Sequence, residues 1–359
     1  MREKLSLFVG PTLLVGLLSV VALSFFDYQI PMGLWVFVGA LAGFTFIYYT
    51  ITQNAVTYVI QRLAEAVMVL FVISTITFLL LRVLPGGPFD QEKALPEQVK
   101  ANIEKKYHLD KPLHIQYGKY MSGLFQGDLG ESYKYIGRDI SEILGETLPV
   151  SVQLGVYSLI LAFLIGIPAG LIAAARHNTW VDSLAMVTAI SGVALPSFLV
   201  APILILIFCF YMHWLPPALW DGPSHYILPV LVLGTRPAAV IARLTRASVL
   251  EVIRTDFIRT ARAKGLNEKT VLFKHVLKNS LIPVLTFSGP LTAGVITGSF
   301  IIEQIFAIPG MGKHLVSSVT NRDYPLILGT TLVFSVVLVV ANLIVDLLYG
   351  YFDPRIKLR

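Results

Sequence analysis

The sequence predicts an all-α protein, a polytopic bundle of membrane helices. Of its 359 residues, 55% are hydrophobic and 14% are charged, whereas soluble domains are about 25% charged. The apolar residues form runs close to the ~20 residues with which a helix crosses a bilayer core. Within that core the backbone must satisfy its own hydrogen bonds, which favours helices. With a single cysteine, Cys209, the composition excludes a disulfide scaffold, a disordered chain and an ordinary soluble enzyme.

Eight apolar runs are long enough to be membrane spans. They are Leu7–Phe26, Met32–Tyr49, Val56–Leu84, Leu148–Ala175, Leu184–Leu215, Tyr226–Val249, Leu281–Ile302 and Tyr324–Val345. The first run begins with basic residues, as a signal peptide does, but it is long for one, so we predict a retained helix. Glu303 follows the seventh run, and we expect it at the membrane interface.

Basic residues predict the orientation of the bundle. Lys and Arg concentrate in cytoplasmic loops. The segment Arg243–Lys278, between the sixth and seventh runs, carries nine of them, whereas Asp27–Pro31 and Met212–Ser224 carry none. With eight spans, both termini are therefore predicted to be cytoplasmic. The net charge of +6 is explained by these loops and by contact with membrane lipid, so we expect no nucleic-acid partner.

The chain divides into a hairpin extension, 1–55, and a transmembrane domain, 56–359. The domain contains an extracytoplasmic loop, 85–147, and a cytoplasmic loop, 250–280. Two roles remain open for the extracytoplasmic loop, capping the bundle and receiving a partner. Within it, short helices are predicted at Leu95–Tyr107, Tyr117–Phe125 and Arg138–Leu144.

The cytoplasmic loop contains the pattern of a short helix. Thr255 or Asp256 is suited to cap its N-terminus, and Gly265 is suited to the left-handed residue that ends a helix. Two alanines between them, Ala261 and Ala263, leave its surface small. Such a helix is suited to insertion into a groove on another protein. Two alternatives are a basic loop that only sets topology and a contact with anionic lipid.

This loop resembles the coupling loop, or EAA motif, of bacterial ABC importer permeases. The similarity is closest to the B-type subunit of the dipeptide/oligopeptide permease family. It rests on the runs Ile241–Ser248, Arg259–Leu266 and Asn279–Pro283. Arg259 and Thr260 replace the first two residues of Glu-Ala-Ala, and Ala261 fits the third. Other short matches follow in family order: Leu79–Gly86, Leu109–Leu113, Gly127–Ser132, Ala194–Phe198, Trp214–Pro216, Ile308–Gly312, Asn321–Pro325 and Asp353–Arg355.

The resemblance implies a type I ABC importer permease core of six helices that begins near Val56, preceded by the two-helix extension. It implies a transport subunit that forms half of a peptide path in a bacterial inner membrane. The implied partners are a second homologous permease, two ABC ATPase subunits and an extracytoplasmic peptide-binding protein. The chain has no phosphate-binding loop, so ATP and Mg are expected on the ATPases. The implied ATPase-coupling residues are Asp256, Arg259, Thr260, Ala261, Arg262, Ala263 and Gly265.

Arg236 lies in the middle of the sixth apolar run, next to Pro237. A charge at membrane depth is costly, so its side chain should face the bundle interior or water. It is a candidate for the translocation path, and the alternative is a structural pair or a side chain that extends to the interface. Import of nickel or a metallophore within the same family remains a functional alternative, as does a stand-alone secondary transporter.

Overall fold

The structure is a computed structural model that describes residues 56–83, 89, 105, 107–297 and 300–352. The predicted hairpin 1–55 and most of Leu95–Tyr107 lie outside these residues. The described residues form helices and no strand. The helices are α1 (Val56–Val83), α2 (Leu113–Gln126), α3 (Ile140–Ala175), α4 (Trp180–Ala194), α5 (Ser197–Ile205), α6 (Pro223–Val252), α7 (Asp256–Ala263), α8 (Glu268–Thr270), α9 (Leu277–Thr297), α10 (Phe300–Ile305), α11 (Met311–Thr320) and α12 (Tyr324–Phe352). Two π-helical segments, Leu206–Tyr211 and Val271–Val276, extend α5 and join α8 to α9.

The predicted all-α membrane bundle is confirmed. Five helical stretches of the described part are long and apolar enough to cross a membrane, and α4 with α5 makes a sixth crossing if that bent pair is one span. The five are Ile60–Val83, Ile140–Ala175, Pro223–Val252, Glu268–Ile305 and Tyr324–Val345. These six stretches coincide with the third to eighth apolar runs.

Two elements differ from the sequence prediction in detail. The fifth run, which was predicted as a span, bends by 101° between α4 and α5. The bend occurs at Leu195, which is extended at φ −79° and ψ 121°, as expected of a residue that precedes a proline. The expected surface helix Arg138–Leu144 is instead the first part of α3, which continues unbroken into the membrane span.

The central contact of the bundle joins α3 to α6 through glycines. A Cβ on Gly166 would lie 2.7 Å from the carbonyl oxygen of Ala238, and one on Gly234 would lie 2.8 Å from that of Ser158. A Cβ on Gly170 would overlap the carbonyl oxygen of Ala242. Gly166 and Gly170 are one turn apart on the same face of α3, the spacing with which membrane helices bring their backbones together. The two helices therefore pack backbone to backbone.

A buried carboxylate fixes the loop segment 128–139 to the start of α12. Asp323 accepts hydrogen bonds from the hydroxyl of Ser132 and from the backbone N–H of Tyr133, the latter at 3.1 Å. Its Oδ1 also accepts from the N–H of Leu326, at 3.4 Å, inside the first turn of α12. The end of the bundle that carries this segment is called the loop side below, and the end that carries α7 is called the coupling side.

Glu303, which is expected at the membrane interface, lies near the end of the span Glu268–Ile305, and its residue is only 1% exposed. Its carboxylate accepts from the hydroxyl of Ser151 and from the N–H of Gly312, both at 2.8 Å. The Ser151 hydroxyl in turn accepts from the N–H of Met311, also at 2.8 Å. A helix N-terminus has unpaired N–H groups and a partial positive charge. Glu303 is therefore buried because it satisfies the start of α11.

We predict that Gly170→Ala destabilises the protein by about 1–3 kcal/mol, the usual cost of overpacking. The added methyl group collides with the backbone of α6, which cannot rotate away. The measurement is the thermal unfolding midpoint of the purified chain in detergent.

Gly145→Ala is the matched control, because a Cβ there in the same helix meets nothing within 4 Å. It should leave the midpoint unchanged or raise it slightly, since Ala is favoured over Gly within a helix. Equal midpoints for the two variants would contradict the glycine-mediated contact.

Candidate functional site

The predicted short helix of the cytoplasmic loop is present as α7. It follows α6 after a three-residue turn and contains eight residues, which is just over two turns. Thr255 occupies the N-cap position with extended backbone, but its hydroxyl donates to the carbonyl of Val252 at 2.6 Å. The prediction that a Thr255 or Asp256 side chain caps the helix is therefore wrong, because α7 has no side-chain cap. Asp256 instead places a negative charge in the first turn, where it is favourable.

The end of α7 is formed by Gly265, as the sequence predicts. Gly265 has φ +75°, a left-handed conformation that glycine adopts at little cost. Its N–H donates to the carbonyl of Arg262 at 2.9 Å, and the N–H of Leu266 donates to that of Ala261 at 3.4 Å. This pair of bonds is the Schellman motif. It ends α7 and turns the chain into α8.

The inner face of α7 is buried in an apolar cluster that it shares with the segment Val271–Val276 and with the ends of α3 and α6. Ile258 is fully buried, and Ala261 is nearly so. They belong to this cluster, here called the coupling cluster, whose other buried members are Leu171, Ala174, Val249, Val271 and Val276. These members come from α3, α6 and the π-helical segment before α9. The coupling cluster therefore connects α7 to the glycine-packed helix pair.

The outer face of α7 is exposed. Phe257 is 47% exposed, and Thr260 and Ala263 are also exposed. Asp256 and Arg259 extend from the same surface and pair with each other at 3.2 Å. The sequence interpretation omitted Phe257, although an aromatic residue in a short polar helix is a signal of contact. Of the predicted coupling residues, Ala261 is the one whose side chain is buried inside the chain.

Arg262 holds α7 to the helix that follows. Its Nη2 donates to Oε1 of Glu268 at 2.6 Å, and its Nε donates to Oε2 at 3.2 Å. These hydrogen bonds, together with the charge of the carboxylate, raise the pKa of the Arg262 guanidinium. Arg262 therefore fixes the turn between α7 and α8, while its neighbours on the outer face remain free for contact.

A second ion pair joins α4 to α6 at the coupling side. Arg246 Nε and Nη2 donate to the two carboxylate oxygens of Asp182, at 2.5 and 2.7 Å. Asp182 is only 3% exposed, and it also accepts from the N–H of Asn178 at 3.1 Å. Two parallel bonds fix orientation as well as distance. The ion pair therefore holds the start of α4 against α6, the helix to which α7 is attached.

Arg236 lies on an exposed stripe of α6, which remains helical through Pro237. The stripe also contains Ile227, Leu231 and Thr235, which follow one another at intervals of four residues. Arg236 is 13 residues from the start of α6, about 20 Å along the axis at 1.5 Å per residue. It makes no hydrogen bond or ion pair with a residue that the structure describes.

Family models match most of this chain. Residues 166–358 match the binding-protein-dependent transport system inner membrane component, and residues 55–154 match the N-terminal part of such membrane components. The chain belongs to this family. The predicted identity as a multi-pass membrane transport subunit is thereby confirmed, and both α7 and Arg236 lie within the larger match.

Two relatives align with most of this chain and with nearly all of their own length. The dipeptide transport system permease protein DppB of Bacillus subtilis strain 168 is 45% identical over 302 residues, which are 84% of this chain and 98% of that protein. The oligopeptide transport system permease protein OppB of Salmonella typhimurium strain LT2 is 44% identical over 84% of this chain and 99% of its own length. An inward-facing structure of the MetNI methionine ABC transporter is 17% identical, covers 59% of this chain and 96% of the matched chain, and has a TM-score of 0.49.

Proposed function

We propose that this chain is the permease subunit of an ATP-driven importer of dipeptides or oligopeptides and forms half of the translocation path. The names of its relatives support peptide as the substrate. In this proposal its partners are a second homologous permease, two ABC ATPases that hold ATP and Mg, and an extracytoplasmic peptide-binding protein. The chain lies in a bacterial inner membrane with both termini in the cytoplasm.

The observation that carries the proposal is the division of α7 into two faces. Its buried residues attach it to α3 and α6, while its outer face presents one aromatic side chain beside two small residues. Phe257 fits an anchor for a partner's groove, because burying such a side chain contributes about 1.5–3 kcal/mol. Thr260 and Ala263 leave room for the groove's walls.

Coupling requires that the ATPases contact α7 differently in their two states. Movement of α7 then carries α6 with it through the coupling cluster, and the Arg246–Asp182 pair carries the start of α4. The chain needs no ATP site for this role, since it supplies only the surface that moves. In this proposal α3, α4, α6 and α7 act as one body.

Arg236 is proposed to face the translocation path. An unpaired cation at mid-depth is tolerated where it meets water or an interior cavity. Its place on the exposed stripe of α6 fits a path that forms between this chain and the second permease. There the guanidinium would attract the carboxylate of a peptide.

We predict that Phe257→Ala weakens recovery of the ATPases with the tagged permease. Truncation of an aromatic anchor at an interface costs about 2 kcal/mol or more, which is about thirtyfold in affinity. The measurement is quantitative mass spectrometry of the proteins that co-purify in mild detergent.

Phe125→Ala is the matched control, because that side chain is 81% exposed on α2 at the opposite side. Full ATPase recovery with Phe257→Ala would reject α7 as the docking surface. Ala261→Arg is a less direct test, since it also disrupts the coupling cluster.

We predict that Arg236→Gln lowers uptake of labelled dipeptide by about tenfold, equivalent to ~1.4 kcal/mol. The change removes the charge and keeps a polar side chain that can form hydrogen bonds. Arg176→Gln, at the exposed coupling-side end of α3, makes the same charge change and should leave uptake normal. Normal uptake with Arg236→Gln would contradict the assignment of Arg236 to the translocation path.

The proposed substrate has its own test in the unmodified transporter. Uptake of nickel in place of peptide would contradict it.

A further inference from the structure

A cavity of about 490 Å³ lies at the loop side, between the end of α1, helix α2, the segment 128–139 and the start of α12. Its walls include the aromatic residues Phe78, Tyr120, Tyr133 and Tyr324. Its volume is in the range of sites that bind small molecules, about 300–1,000 Å³. The coupling segment and Arg236 do not line it, so the proposed function does not use this cavity.

One side chain in the cavity is a cation that has no ion-pair partner among the described residues. The guanidinium of Arg82 lies 4.9 Å from the ring centre of Phe78 and 5.2 Å from that of Tyr324. Its Nε and Nη2 both donate to one neutral oxygen, Oε1 of Gln116. Its Nη1 is buried and has no hydrogen bond, and no described carboxylate forms an ion pair with it. Arg82 is partly buried, and charges removed from water are normally paired, so this arrangement favours an anionic ligand.

The cavity also contains the opposite charge. Lys119 adds a second cation to the lining, while Asp128, Glu131 and Asp139 supply carboxylates. Aromatic rings stabilise cations that lie over their faces. A ligand that carries one anionic and one ammonium group therefore matches the lining better than a simple anion does.

The position of Arg82 indicates where such a ligand originates. Arg82 is the second-last residue of a 24-residue apolar span, Ile60–Val83. The neighbouring side chains Leu79, Leu80 and Val83 are exposed, Val83 by 80%. Such a span ends at the level of lipid headgroups, where tyrosines are also enriched. Acyl chains beside α1 would place their headgroup at the height of the cavity.

We propose that the loop-side cavity binds the headgroup of a zwitterionic phospholipid. Its phosphate lies near Arg82 and Lys119, and its ammonium group lies near the carboxylates and aromatic rings. The bound lipid would join α1 and α2 to the start of α12, because all three elements line the cavity. No covalent step is involved.

The test uses the intact transporter in nanodiscs that contain equal amounts of phosphatidylethanolamine and phosphatidylglycerol. After controlled delipidation, native mass spectrometry counts the lipids that each permease chain retains. We expect the unmodified chain to retain about one phosphatidylethanolamine. The retained amount should fall at least fivefold in the Arg82→Gln variant, and Arg82→Lys should restore part of it.

Two further variants separate ligand binding from a structural role for Arg82. Gln116→Met removes the same hydrogen bonds and keeps the charge, so it should retain the lipid. Asp128→Asn keeps an acceptor for the N–H of Gly130, which Asp128 now binds at 2.8 Å, and it should reduce the preference for phosphatidylethanolamine. Unchanged retention with Arg82→Gln, equal loss with Gln116→Met, or retention of a peptide in place of lipid would each overturn the proposal.

Discussion

The backbone contact between α3 and α6 is the constraint on which the rest of the structure depends. Gly166, Gly170 and Gly234 remove the side chains that would separate the two helices. Water-driven burial does not operate between helices in lipid, so close packing has to hold them together. The coupling cluster then extends this contact to α7, because its members come from the ends of the same two helices. A helix of eight residues thereby gains a rigid support.

The two ends of the bundle are fixed by buried carboxylates in different ways. At the loop side Asp323 and Glu303 accept from backbone N–H groups at the starts of α12 and α11. At the coupling side Asp182 pairs with a guanidinium. The bonds to helix starts hold the loops in place, and the ion pair joins α4 to α6. This difference matches a proposal in which the coupling side transmits motion and the loop side forms a stable surface.

The sequence predicted the features that depend on neighbouring residues. Apolar length identified the spans, and Gly265 marked the end of α7 because left-handed geometry is a local property. The pairings of Asp182 with Arg246 and of Glu303 with Ser151 were missed, since the partners are 64 and 152 residues apart. The predicted side-chain cap by Thr255 was also wrong, because its hydroxyl donates to a backbone carbonyl of the preceding turn instead. Pro196 lies in the fifth apolar run, but its presence and the hydropathy of the run do not give the direction or size of the bend between α4 and α5.

The most direct test of the central claim is a distance measurement by pulsed electron paramagnetic resonance within this chain. Spin labels replace Lys264 at the end of α7 and Leu231 on α6, in a Cys209→Ser background that removes the chain's one cysteine. The intact transporter is measured without nucleotide and with trapped ATP. If α7 and α6 form one body, the distance distribution is the same in both states while ATP hydrolysis proceeds normally. A change in that distance on ATP binding would contradict the account, because α7 would then move independently of the helix it is proposed to drive.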